Sequence, residues 1–176
     1  PGLDTVTYHT SDTVMRIEEL PHRVVIAGGG FIAAEFGHIF ASLGSHVTQV
    51  ARGEKLLRHL DAEVAQRYTD ITAARYDVHL NSTIGKVSPQ LSGDDGVLVQ
   101  ISGPDGGAAT VEADLLLLAT GRTPNGDELG VTATGVELDA DGYVVVDEHQ
   151  QATVPGIWAL GDISSHRMLK HVANRE

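Results

Sequence analysis

The chain has 176 residues, of which 41% are apolar and 20% charged, enough to enclose a core and too apolar for a disordered segment. A net charge of −12 argues against nucleic acid or an anionic membrane as partner; no stretch nears the roughly 18 apolar residues of a membrane span and no signal peptide opens the chain, so it reads as cytoplasmic. Cysteine is absent, which excludes a disulfide framework, a thiolate metal site and a cysteine nucleophile within these residues.

Taken in order, Leu3 to Leu20 read as a strap, with Thr10-Ser11-Asp12 offering cap chemistry to a short helix through Val14, Met15 and Ile17. Pro21 resets the chain, and Val24 to Ala27 form a short apolar strand. Gly28-Gly29-Gly30-Phe31-Ile32-Ala33 follows at once, a G-x-G-x-x-A turn at the mouth of a helix. Gly28 can make the tight turn, and Gly30 lets a pyrophosphate approach the backbone; Ala33 lets the helix sit close to a sheet. The first helical N–H groups and the dipole then face the phosphates. Ile32, Phe36, Ile39 and Leu43 recur at helical spacing beside a narrow side of Ala33, Gly37 and Ala41, and Gly44 ends the helix.

His46 to Val50 is a second strand, and it runs into Arg52, Lys55 and Arg58. An NAD site would place an acid roughly 20 residues beyond the fingerprint to accept from the ribose hydroxyls, whereas an arginine there takes the 2′-phosphate of NADP. Here Val50-Ala51-Arg52-Gly53 holds no acid before Glu54, and three of only 12 basic residues fall within seven positions. The pattern favours NADPH over NADH; a solvated run of charge is the bland alternative.

Asp61 can cap a helix that buries Val64, Tyr68, Ile71 and Ala74, and Val78 to Leu80 read as a third parallel strand. At about Thr83 the helical period stops. Ile84–Val87, Val97–Ile101 and Thr110–Ala113 read as an antiparallel meander, with turns at Ser92–Gly96 and Gly103–Gly107. The run Asp114–Ala119 fits a strand buried on both faces. The expected fold is therefore an α/β, Rossmann-like, NAD(P)-binding domain of three layers: a parallel sheet, helices on one face and an antiparallel meander on the other. Beyond Asn125 the chain is loop-rich and acidic, with strands expected at Tyr143–Val146 and Ile157–Leu160 and the start of a helix from Ser164 to Glu176. The nine histidines carry no ligand spacing; His166 and His171 stand at i, i+5, so no metal site is expected.

Four separated motifs carry a family resemblance: Gly28 to Glu35, the Arg52 and Arg58 pair, Ala119-Thr120-Gly121-Arg122-Thr123-Pro124-Asn125, and Gly156-Ile157-Trp158-Ala159-Leu160-Gly161-Asp162. Their order resembles that of the pyridine nucleotide-disulfide oxidoreductases over nearly the whole chain. Leu56-Leu57-Arg58-His59 and Leu169-Lys170-His171-Val172-Ala173-Asn174 look most like the mycothione-reductase branch. Glutathione reductases would have His where Gly53 stands, and lipoamide dehydrogenases would have Glu where Ala51 stands.

The resemblance implies a flavoprotein in which NADPH passes a hydride to FAD for reduction of a low-molecular-weight thiol disulfide, in a full-length homodimer. By position it implies NADPH contacts from Gly28, Gly30, Phe31, Ile32, Glu35, Arg52, Arg58 and Gly121, and FAD contacts from Asp162 and Lys170. Phe31 would cover the nicotinamide pocket and Glu35 would stand near the nicotinamide and flavin; a core role for Phe31 and a satisfied helix carboxylate for Glu35 are the plain alternatives. It also implies a strap over residues 1–22, an NAD(P)H-binding domain over 23–124, and a return segment over 125–176 belonging in part to a flavin domain. In that case Ile157, Trp158 and Leu160 should be exposed, in a tail disordered after about Ala152 or docked on a neighbouring chain. An earlier glycine fingerprint, a cysteine pair and a C-terminal domain with its catalytic His and Glu are missing, so no catalytic residue is expected here and the residues alone should reduce no disulfide. Pro1 and the helix still open at Glu176 read as ends cut from a longer chain. A non-catalytic NAD(P)-sensing module is the alternative function; Asp162, of use only to a flavin site, weighs against it.

Overall fold

A computed structural model describes residues 1–90 and 96–176. The chain divides into two units, Pro1–Gly121 and Arg122–Glu176. In the first, β1 (Arg23–Ala27), α1 (Phe31–Leu43), β2 (His46–Val50), α2 (Ala62–Ala73) and β3 (Asp77–His79) follow one another, then β4 (Thr83–Pro89), β5 (Val97–Ser102), β6 (Ala108–Ala113) and β7 (Leu115–Leu118). A parallel sheet has the order β3-β2-β1-β7, and an antiparallel sheet the order β4-β5-β6.

The alternation of side chains along each parallel strand makes the three layers. Val24, Ile26, Val47, Leu115 and Leu117 point to one face and enclose Ala33 and Phe40 of α1. Val25, Val50 and Leu116 point to the other and meet Val87, Val97, Val99, Ile101 and Ala113 of the meander. The expected Rossmann-like fold is thus present, with helices on one face and the meander on the other. The strap closes the free edge of β7: His9 donates to Leu116 O and accepts from the Leu118 N–H, both at 2.8 Å.

Several local expectations need correction. The strap holds two 3-10 turns, Leu3–Thr5 and Val14–Arg16, in place of the expected helix; Thr13 Oγ1 turns back on the Thr10 backbone, accepting from its N–H at 3.0 Å and donating to its carbonyl at 3.5 Å. The third strand lies one residue earlier than expected. Asp61 caps α2 as expected, accepting from the Glu63 and Val64 N–H groups at 2.9 and 3.3 Å. The face of α2 that is buried is Ala65, Thr69 and Thr72, whereas Val64 and Ile71 are exposed. In α1, Ile32 and Phe36 pack on the core, but Ile39 and Leu43 are exposed and the buried positions are Ala33, Ala34, Gly37 and Phe40. Close approach selects the small residues: a Cβ at Gly37 would stand 2.5 Å from the Tyr76 hydroxyl. The turn at Gly103–Gly107 closes β5 onto β6, with the Gly103 N–H on Gly107 O at 2.8 Å. Of the turn expected at 92–96, residues 92–95 lie outside the described residues.

The second unit is built on Val136, Val144 and Ala152. Tyr143–Val146 and Ile157–Leu160 are not strands; Leu138–Val144, Val146–Ala152 and Gln151–Trp158 are isolated bridges. A strand needs a continuous ladder, and here the unit is tied by aspartate turns instead: Asp139 accepts from the Asp141 and Tyr143 N–H groups, and Asp147 from those of His149 and Gln151. The expected final helix is the short α3, Lys170–Ala173. Residues beyond Ala152 pack within this unit, where Ile157 is half-buried against its core, while Trp158 and Leu160 are exposed at 59% and 53%.

Candidate functional site

The first unit holds a cavity of about 550 Å³ outside the carboxyl ends of β1, β2 and β7, where an open α/β sheet binds its ligands. Its floor is Gly28, Gly29 and Gly30. Gly28 leaves β1 at φ +145°, and a Cβ there would overlap the Ala119 carbonyl, so this glycine is fixed by the fold. Its N–H donates to Val50 O at 2.8 Å, and its carbonyl accepts from Gln49 Nε2 at 2.9 Å. Gly30 differs: it is the N-cap of α1 with φ −92°, and a Cβ would meet nothing within 4 Å. Space is kept open over Gly30 where no protein atom fills it. The first-turn N–H groups of α1 lack intrahelical partners by the geometry of a helix start, and no side chain caps them.

One wall is basic. Arg52, Lys55, Arg58 and His59 line the cavity, and among the described residues no Asp or Glu does, in a chain with 24 acids. Among the described residues none of Arg52, Lys55 and Arg58 has a carboxylate within 4.0 Å. A concave, acid-free surface of this kind focuses positive potential on an anion. The opposite wall is apolar, from Ile84 and Val87 on β4 and Leu116 and Leu118 on β7, with Ser82, Thr83 and Thr120 adding hydroxyls. Free N–H donors at the floor, a cationic end and an apolar wall together suit a phosphorylated dinucleotide with a flat base.

The structure brings Gly28, Gly30, Arg52 and Arg58 to one cavity, as the spacing suggested. It places Phe31 and Glu35 elsewhere, one helical turn apart on a neighbouring groove of about 360 Å³ that also touches Ala34, His38, Tyr68 and Tyr76. Phe31 is 48% exposed, so it is no core residue. Ile32 is half-buried against the core, and Gly121 follows Thr120 with φ +155° in open surroundings. Asp162 and Lys170 belong to the second unit; Asp162 pairs with Arg122 at 3.0 Å, and Lys170 is the exposed first residue of α3. His166 Nε2 donates to Asp139 at 2.9 Å, and its ring packs tilted at 42° against Tyr143. Sequence reasoning missed His59, Ser82, Thr83 and the apolar wall. The period-2 alternation of β7 was a usable signal, since it sends Leu116 and Leu118 to the same side as the meander.

The support of the turn is also absent from the sequence motif. Gln49 has no exposed surface and uses both ends of its amide, donating to Gly28 O and accepting from the Tyr76 hydroxyl at 3.2 Å. Burial pushes the Tyr76 hydroxyl well above the usual tyrosine range, so it stays a neutral donor. Across the sheet, Arg23 on β1 holds Asp114 and Glu112 at 2.6 Å each. Partial burial works against ionisation of Asp114, but the hydrogen bonds from the Arg23 side chain and N–H outweigh it and hold the carboxyl below its ordinary range.

Over residues 1–176 the sequence matches the family described as pyridine nucleotide-disulphide oxidoreductase. It is 49% identical over 171 residues to a mycothione reductase of Mycobacterium tuberculosis, covering 97% of this chain and 36% of the relative. It is 37% identical over 168 residues to a glutathione reductase of Burkholderia cepacia, covering 95% and 36%. Among solved structures, the HOCl-induced flavoprotein disulfide reductase RclA from Escherichia coli superposes with a TM-score of 0.84 at 28% identity, over 98% of this chain and 38% of that one. The chain spans a little over a third of the length of these relatives.

Proposed function

The chain belongs to the pyridine nucleotide-disulphide oxidoreductase family, whose members compared above are disulfide reductases, and on that premise we propose that it is the NADPH-binding part of an FAD-dependent, mycothione reductase-like enzyme. Its dinucleotide then carries the hydride that a flavin takes up and delivers, as an electron pair, to a low-molecular-weight thiol disulfide. The observation that supports this reading most is the cavity with three cations, a histidine and, among the described residues, no acid, beside the open space over Gly30. The residues fit the cofactor: the α1 start and Gly30 would hold the pyrophosphate, Arg52 and Arg58 the 2′-phosphate by charge-assisted hydrogen bonds, and Ile84 with Leu118 the base.

Phe31 and Glu35 sit on the exposed side of α1, which we assign to the nicotinamide end, with Ile32 fixing the turn and Gly121 giving a backbone approach. Asp162 and Lys170 we assign to the flavin. In this scheme residues 1–22 are the strap, 23–124 the NAD(P)H domain and 125–176 the return segment, whose exposed Trp158 and Leu160 face the flavin domain of a cytoplasmic homodimer. These residues alone contain no cysteine and would not turn over a disulfide.

Calorimetric titration of the chain and of Arg52→Ala with NADPH and NADH tests the assignment. The unmodified chain should prefer NADPH, and Arg52→Ala should weaken NADPH by about 1.5–3 kcal/mol with little effect on NADH. Equal affinities of the unmodified chain for both cofactors would remove the 2′-phosphate site.

A further inference from the structure

Helix α2 is turned the wrong way for an ordinary amphipathic helix. It exposes Val64 at 53% and Ile71 at 47% while burying Thr69 and Thr72 at 4% each. Burial of a hydroxyl in preference to an available valine or isoleucine calls for a bond that an apolar side chain could not make. Thr69 makes two. Its Oγ1 donates to Ala65 O at 2.7 Å and accepts from the Leu56 N–H at 3.0 Å.

Leu56 belongs to the basic loop between β2 and α2. It has no exposed surface, and the next residue, Leu57, is held at φ +51° with its N–H on Gly29 O at 2.7 Å. The Leu56–Leu57 segment is thus pinned on one side to α2 and on the other to the glycine turn. At its start the loop is pinned again, by the Asn81 N–H on Gly53 O at 3.0 Å. Lys55 precedes the pinned segment and Arg58 follows it. The loop is compact enough that a Cβ at Gly53 would stand 3.6 Å from Arg58 Cδ, so the Arg58 stem folds back over the glycine that follows Arg52.

We infer that Thr69, which does not line the cavity, is a specificity-determining positioning residue: through the Leu56 N–H it fixes the loop that presents Arg52, Lys55 and Arg58 to the 2′-phosphate. This rests on the reading of the cavity as an NADPH site. Without the Thr69 hydroxyl, the Leu56 N–H is left buried and unpaired, and the loop can satisfy it only by lifting towards water, which carries Lys55 and Arg58 with it. Gly29 O then gives up the Leu57 N–H, but the turn itself stays in place, held by the Gly28 bonds to Val50 O and from Gln49. The loss therefore falls on the phosphate that distinguishes the two cofactors and spares the pyrophosphate common to both. A merely structural threonine would weaken both equally.

The test is titration of NADPH and NADH into the chain and into Thr69→Val and Thr69→Ser. Thr69→Val, close in shape and lacking the hydroxyl, should lose roughly five- to tenfold in NADPH affinity and stay within about twofold for NADH. Thr69→Ser should restore the preference. If Thr69→Val shows no cooperative melting transition, Thr69→Ala is read in its place against Thr69→Ser. An unchanged NADPH-to-NADH ratio in a folded Thr69→Val, or an equal loss for both cofactors, overturns the inference while leaving the NADPH assignment standing. An unmodified chain with no preference for NADPH overturns both.

Discussion

Two glycines two residues apart in the fingerprint should respond to the same substitution in opposite ways. Gly28→Ala puts a methyl group at φ +145°, a region in which a side chain costs about 1–3 kcal/mol, and drives it into the Ala119 carbonyl. Relief requires a shift of β1 against the segment after β7, and overpacking of this kind costs about another 1–3 kcal/mol. Against a whole-domain stability of about 5–15 kcal/mol this is severe, and at about 2–4 °C per kcal/mol for a chain of this size the melting temperature should fall by on the order of 10 °C. Gly30→Ala meets no atom within 4 Å and keeps an allowed φ of −92°, so its stability should stay within about 1 kcal/mol of the parent. The methyl group would occupy the space kept for the pyrophosphate, and dinucleotide affinity should fall at least tenfold, on the order of 1.4 kcal/mol. Thermal melting by circular dichroism and calorimetric titration read the two effects separately. A Gly30→Ala chain that binds NADPH like its parent would refute the placement of the phosphates, and a Gly28→Ala chain that melts like its parent would refute the packing argument.

The remaining expectations concern the support of the site and its response to acid. Gln49→Leu leaves Gly28 O without its donor and the Tyr76 hydroxyl without its acceptor, each worth about 1–3 kcal/mol, and should destabilise more than Tyr76→Phe. Because the two share a bond, denaturant melts of the double variant should show less than the sum of the single losses, and strict additivity would show that the bond carries no stability. Asp114 ionises more readily in the folded chain than in the unfolded one, so its contribution is complete above the unfolded value of about 3.9 and is lost as pH falls through the lower native value. Asp139 and Asp147 are depressed in the same direction, first by the N–H groups of Tyr143 and Gln151 respectively. Melting temperatures followed from pH 5 downward should therefore decline below about pH 4, and less steeply in Asp114→Asn; an equal slope in that variant would mean that the Arg23 pair contributes nothing.

What depends on neighbours along the chain is legible in the residues alone. The run from β1 through the glycine turn, α1 and β2 is written in local preferences: a short apolar strand, glycines where φ or approach demands them, a helical period and Gly44 at its end, in the left-handed region. The Asp61 cap and the buried run of β7 were legible for the same reason, and the shared order of four motifs carried the family. Which helix faces lie inside depends on packing between elements. Periodicity ranks faces by hydrophobicity, but a helix close to a sheet is limited by distance, so Gly37 and Ala34 are buried while Ile39 and Leu43 stay outside. In α2 a hydrogen bond to a loop thirteen residues away turns Thr69 inward. The strand-like runs at Tyr143 and Ile157 were misread because hydrophobic alternation states that a partner is wanted, and a ladder exists only where a partner is found. The walls of the cavity come from β4, β7 and the basic loop, segments far apart in sequence that meet because the parallel order β3-β2-β1-β7 brings their ends together and the meander covers one side.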